Sequence, residues 1–259
     1  DITEVSVTSL KSQEILIMQN LTYDLLQKIE AAAEKIYQAL KLAFGYDPEY
    51  YQVNATDFRG YVDLAYYRRL QSELVKQEYT WVGDIGEMNV AELMQRHDNT
   101  RTFIRAMINP THNTSVAFYH LRPRGFLGFL AELKVFDCET EFRPEKYLVT
   151  TNAGKTPFDP PPGFDVVYLP PGTAYRTVLK THYQRLQKAI LTWNLSPTPL
   201  YNLDDVLAMQ KRMHQAKNNY RKRIGYITEE ELNRFRVDPE IAREVMYRLR
   251  RNFEFDSHY

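Results

Sequence analysis

Residues Arg101 to Thr151 read RTFIRAMINPTHNTSVAFYHLRPRGFLGFLAELKVFDCETEFRPEKYLVTT, and the fold class turns on this stretch. Thr102, Ile104, Ala106 and Ile108 alternate with Phe103, Arg105 and Met107, a period of two that sets a mainly apolar row on one side of a strand. Asn109-Pro110-Thr111-His112-Asn113-Thr114 follows. Proline has no N–H to give a ladder and Asn and Thr bond their own backbone, so a connector belongs there. Val116, Phe118 and His120 then alternate with Ala117, Tyr119 and Leu121. Leu133 to Phe142 and Tyr147 to Thr151 are rich in β-branched and aromatic residues and are separated by Arg143-Pro144-Glu145-Lys146 at hairpin spacing. The reading is an antiparallel meander of four strands, with helical arms before and after it.

The Leu133 strand is mixed on both sides. Val135 shares a side with Asp137, Glu139 and Glu141, while Phe136, Cys138 and Phe142 share the other. The second set makes the better core face. The carboxylate row is therefore expected to point to solvent, with Arg105 as its natural counter-ion.

Outward from the meander, Tyr79 to Ile85 reads as a fifth strand and Asp165 to Leu169 as a plausible last one. Ser9 to Phe44 lacks Gly and Pro and keeps a helical apolar spacing, which predicts one long helix or two in line. Asn54 to Glu78 predicts a second helix, capped by Thr56 or Asp57 and only slightly weakened by Gly60; Val90 to His97 predicts a short one. A proline-rich strap, Thr156 to Gly163, precedes the last strand. Thr173 to Thr192 has the most regular helical pattern, and Asp204 to Arg223 carries acids at its start and Arg221-Lys222-Arg223 at its end, as the helix dipole favours. Thr228-Glu229-Glu230-Glu231 is a capping box, and Asp238-Pro239 opens the final helix. The expected class is α+β: an antiparallel sheet of about five strands, long N-terminal helices, and several C-terminal ones. Residues 1–199 are expected as the body and 200–259 as a helical appendage.

With 259 residues, 44% hydrophobic and 25% charged, the composition is that of a globular chain without a membrane span. The chain opens on Asp1 rather than methionine, which leaves room for an upstream signal or membrane anchor. Cytoplasmic placement and a membrane-associated soluble region are both compatible with this. Charge balances overall, yet from Thr173 onward 16 Lys/Arg stand against 10 Asp/Glu. That is a mildly basic C-terminal part and no strong nucleic-acid signal. The single cysteine, Cys138, excludes an internal disulfide and reads as a small buried hydrophobe.

The six histidines show no metal-ligand spacing, and the nucleotide, dinucleotide and hydrolase-elbow motifs are absent. No metal or cofactor is implied. The catalytic candidates are Glu139 and Glu141, with His120 or His182 as an imidazole partner should the 173–192 helix cross the carboxylate face. The binding candidates are Tyr61, Tyr66 and Tyr67, as interface rings among 19 tyrosines, and Arg221, Lys222 and Arg223 as a basic surface. These favour a non-catalytic binding or assembly module, oligomeric or with a protein partner, of a kind that suits the soluble part of a membrane-tethered protein. The alternatives are a hydrolase-type enzyme using the meander carboxylates, and a basic-surface binder of RNA or anionic lipid.

Overall fold

The structure, a computed structural model, describes residues 23–41, 43–44, 49–87, 101–122 and 132–256. The chain divides into two compact units, residues 44–220 and residues 1–43 with 221–259. Residues 203–220 thus group with the sheet, and residues 23–41 with the C-terminal helices, whereas the sequence suggests one break near residue 199.

The larger unit is built on a seven-stranded sheet with its strands in chain order. They are β1 (Tyr50–Gln52), β2 (Thr80–Glu87), β3 (Ile104–Ile108), β4 (Ser115–Leu121), β5 (Leu133–Phe142), β6 (Lys146–Thr151) and β7 (Phe164–Tyr168). Neighbours from β1 to β6 are antiparallel; β6 and β7 are parallel. The α+β class and the β3–β6 meander are present. The expected five antiparallel strands become a mixed sheet of seven. Two causes account for the difference. Strand β1 is three residues long, too short to show a period, and takes its conformation from its ladder with Ile85 to Glu87. The proline-rich strap carries the chain back along β6, and a parallel partner needs such a long crossover.

One face of the sheet is dry. Phe103, Met107, Val116, Phe118, Phe136 and Cys138 pack there against Tyr67, Leu70 and Leu74 of α2 (Leu64–Val75) and Val178 and Leu179 of α3 (Tyr175–Trp193). Farther along, Phe142 and Leu148 meet Leu186 and Ala189. The predicted 54–78 helix is broken. Asn54 caps a 3-10 turn, Ala55–Phe58, and Gly60 then takes a left-handed φ of 83°, which L side chains rarely adopt. Asp63, not Thr56 or Asp57, caps α2 by accepting the Tyr66 N–H.

The opposite face is covered by α4 (Leu203–Ile224), whose Val206, Met209 and Met213 pack on Ile108, Tyr147 and Phe164. The sheet is thus the middle of three layers.

In the smaller unit, Ile29, Ala33, Ile36 and Leu40 form the buried stripe of α1, residues 23–41. Helix α5 (Glu229–Arg234) opens on the expected capping box, and α6 (Pro239–Asp256) buries Ile241, Val245 and Leu249. The Phe253 ring stacks on Tyr226 at 4.2 Å and meets Tyr37 at 4.9 Å. The part of the predicted Ser9–Phe44 helix before residue 23, and the predicted Val90–His97 helix, lie outside the described residues. Among the described residues no helix is long and apolar enough to cross a membrane.

Candidate functional site

Strand alternation puts Val135, Asp137, Glu139 and Glu141 on one side of β5, as read from the sequence. That side does not face solvent. It is the side covered by α4, and the acids are met by that helix rather than by Arg105. Arg212 grips Glu141 in a two-pronged pair, Nε to Oε1 at 2.6 Å and Nη2 to Oε2 at 2.7 Å, and Glu141 is only 2% exposed. Gln210 donates its amide N–H to Glu139. Lys217 lies within electrostatic reach of both Glu139 and Asp137. The Thr151 hydroxyl, opposite Asp137 on β6, donates to one of its carboxylate oxygens and accepts the Ala153 N–H.

The centre of this face is polar and less tightly packed than a dry core. Ala117, Tyr119, Asp137, Glu139, Gln210 and Lys217 are all half-buried though they lie between the sheet and its covering helix. On the other face the matching positions of β4 and β5, Val116, Phe118, Phe136 and Cys138, are at most 1% exposed. Several buried polar atoms of this unit have no partner among the described residues. Ser115, 1% exposed and opposite Glu139, has no partner for Oγ among the described residues; nor has Asp137 for Oδ1, nor Asn218, the neighbour of Lys217, for its side-chain oxygen. A buried polar atom without a partner costs about 1–3 kcal/mol.

Electrostatics follow from the enclosure. Burial, seconded by the Glu139 charge, pushes the Asp137 carboxyl up to about 7. Burial also raises Glu139, despite Lys217 and the Gln210 hydrogen bond. It lowers Lys217, with the two carboxylates opposing the shift. Tyr119, facing Asp137 and Glu139, is held far above the ordinary phenol range by burial.

The predicted imidazole partners are on the wrong side. His182 lies on the dry face, 1% exposed, with Nε2 3.0 Å from Thr140 Oγ1 and Nδ1 3.0 Å from Thr150 Oγ1. Burial, seconded by Arg185, lowers it to about 3, so it is a neutral core histidine. Thr140 stands between Glu139 and Glu141 in sequence, and that one-residue offset turns the imidazole to the opposite side. His120 is on the dry face too. Its Nδ1 accepts the Asp63 N–H at 2.8 Å and its Nε2 lies 2.6 Å from Glu132 Oε1, a contact that leaves it part of the α2 anchorage. Arg105 also points there, bonding Asp84 at 2.7 and 2.6 Å and Gln71 at 2.8 Å. Neither His120, His182 nor Arg105 reaches the acids.

The binding candidates are dispersed. Tyr67 is no interface ring: it is fully buried, donates to the Phe103 carbonyl and accepts the His120 N–H. Tyr61 lies under the Arg101 guanidinium at 5.1 Å. Tyr66 lines a pocket of about 270 Å³ with Arg69, Glu73, Lys134, Asn152 and Tyr175. In the smaller unit Arg221 is 1% exposed and paired with Glu231 at 2.7 Å, so of the basic triplet only Lys222 and Arg223 face outward.

Lys217, Gln210, Arg212 and Ser115 are not singled out by the sequence reading. A signal is there: Gln210 and Lys217 stand in the same helical stripe as Val206, Met209 and Met213, where an apolar side chain would be the plain choice. A lysine in an apolar stripe, beside a strand bearing three acids, marks a buried charge assembly.

Among the described residues no group of three His, Cys, Asp or Glu could hold a metal ion. No model of a known protein family matches the chain, and searches of curated proteins and of solved structures return no match.

Proposed function

We propose that the protein is a binding module whose ligand site is the cleft between the second face of the sheet and α4. The observation that carries this is a pair of enclosed oxygens with no partner among the described residues, Ser115 Oγ and Asp137 Oδ1, between the sheet and α4. Packing that leaves polar atoms unmet is costly, and a ligand that donates to both removes the cost. The surrounding groups suit a small polar molecule: Asp137, Glu139, Lys217 and Tyr119 supply orientation, and Val149, Val166 and Met213 supply apolar walls. The other readings have less behind them. An assembly role through the tyrosines loses Tyr67 to the core, and a basic-surface role loses Arg221 to Glu231.

The hydrolase-type alternative keeps one specific support. Asp137 titrates near neutrality, where a proton acceptor is most effective, although no histidine of the predicted pair is at hand.

The test is a series of thermal melts of the full chain over a panel of small polar compounds at pH 7, with Ser115→Trp alongside. Expected is at least one compound that raises the melting temperature of the parent by several degrees and leaves Ser115→Trp unmoved. Equal shifts in both proteins, or none with any compound, would remove the cleft from consideration.

A further inference from the structure

We propose that the pocket where α2, β5 and the start of α3 meet takes a small carboxylate with an aromatic or branched apolar body, and that Arg69 holds its charge. This site lies on the α2 and α3 side of the sheet and does not depend on the cleft under α4.

The space is defined and open. The pocket has a volume of about 270 Å³. Ligand pockets fall in the range of ~300–1,000 Å³, so this one suits a body of one ring rather than several. Its floor belongs to the core, since Leu70 and Phe136 are both buried. Tyr66 and Tyr175 stand half-buried at its sides, and the Tyr175 ring centre is 5.7 Å from that of Phe136. The mouth is made by small exposed residues, Gly172 and Ala174, and a Cβ added at Gly172 would meet nothing within 4 Å. Entry is free where the loop turns into α3.

Charge decides the class of ligand. Arg69, Glu73 and Lys134 are the charged side chains that line the pocket. Glu73 is already taken: the Tyr175 hydroxyl donates to it, and Arg176 Nη2 lies 3.1 Å from the same oxygen. Lys134 is paired with Asp63 at 3.2 Å and with Glu132 at 3.3 Å, and its Nζ stands 5.3 Å from the Tyr66 ring centre. Arg69, by contrast, makes no ion pair or hydrogen bond among the described residues. A guanidinium is a planar fork of donors that matches a carboxylate in two prongs. Aromatic walls beside an acid also suit an organic ammonium. Here two cations border the space and the acid is bonded, so an ammonium meets repulsion while a carboxylate meets none. The start of α3 agrees in sign. Ala174, its N-cap, provides no side-chain hydrogen bond, and the N–H groups of Tyr175 and Arg176 have no partner among the described residues.

The test titrates the full chain with benzoate, phenylacetate and isovalerate, with benzyl alcohol and benzylamine as the neutral and cationic counterparts, and follows backbone amides in proton–nitrogen correlation spectra. Expected is saturable binding of at least one carboxylate that moves the amides of Leu70, Ala174 and Tyr175 together. Its Kd should be at least tenfold below that of benzyl alcohol, and benzylamine should leave these amides in place. Arg69→Gln should weaken the carboxylate at least tenfold and leave the response to benzyl alcohol as it was. Ala174→Asp separates binding from folding. Asp is a preferred N-cap, so this variant should melt no lower than the parent, while its acid at the mouth weakens the carboxylate at least tenfold. Equal affinity for benzoate and benzyl alcohol, tighter binding of benzylamine, or unchanged carboxylate binding in Arg69→Gln overturns the proposal. So does the absence of any movement at those three amides with all three carboxylates.

Discussion

The two faces of one sheet follow opposite rules. Toward α2 and α3, alternate residues of β3, β4 and β5 are Phe, Met, Val and Cys at essentially zero exposure, and polar groups among them are paired: His182 sits between two threonine hydroxyls, Arg105 is locked to Asp84 and His120 Nε2 lies 2.6 Å from Glu132 Oε1. Toward α4 the same strands carry buried Ser115 and half-buried Asp137 and Glu139, and Ser115 Oγ and Asp137 Oδ1 have no partner among the described residues. A face that only stabilises has no reason to keep unmet polar atoms. The contrast teaches that apolar packing and buried charge are divided between the faces, one strand residue apart.

The largest expected effect comes from the dry face. Phe118→Ala should cost about 3–5 kcal/mol in denaturant unfolding, since the side chain is fully buried among Tyr67, Phe103 and Phe136. A loss under about 1 kcal/mol would mean that this face is not the structural core.

The faces should also titrate in opposite directions. The folded protein keeps His182 neutral, while the unfolded chain takes up that proton below its ordinary pKa of 6.5; stability is therefore lost as pH falls from about 6.5 toward 3. His182→Ala should cost on the order of 3 kcal/mol at pH 7, and that gap should shrink steadily on acidification. A gap that stays constant between pH 7 and pH 4 would contradict the neutral core histidine.

Asp137 runs the other way. The folded protein keeps it protonated up to about 7, whereas the unfolded chain releases the proton near 3.8. Its contribution is full below about pH 4 and is lost as pH rises toward 7. Asp137→Asn, neutral throughout, should be more stable than the parent by roughly 1–3 kcal/mol at pH 8, with the difference vanishing near pH 4. Equal pH dependence in the two proteins would show that the carboxyl is ordinarily solvated.

Thr140→Val sharpens the contrast: that hydroxyl is bonded to His182 and Thr114, and its removal should cost about 1–2 kcal/mol by the same melts. Ser115→Ala should have the smallest effect, a stabilisation of up to about 1 kcal/mol, because it removes a buried hydroxyl that has no partner among the described residues.

How far the sequence could be read depended on the range of the interactions involved. The meander was legible because period-two patterning and the connector at Asn109 to Thr114 are local. The helix over 175–193 was legible from its apolar stripe, and the capping box at Thr228 from four consecutive residues. Strand β1 and the parallel pairing of β7 were not, since three residues carry no period and strand direction depends on where a crossover lands. In the site, the side of β5 that bears the acids followed from alternation. What covers that side did not. Charge and chemistry assign Arg105 and His182 to the acids, yet both sit across the sheet: Arg105 is one residue out of phase in β3, and His182 rides on α3, which packs on the dry face.

The sequence by itself determined the meander strands and the longer helices, though not β1 or the break at Gly60, and it placed Asp137, Glu139 and Glu141 on a common face, because rotation per residue is a property of the local backbone. Only the tertiary structure decided that this face would be enclosed, that Arg212 would take Glu141, and that Lys217 would come within electrostatic reach of Glu139 and Asp137. Those outcomes depend on how α4, some seventy residues downstream, lies across the strands, and no short stretch of chain records where a distant helix comes to rest.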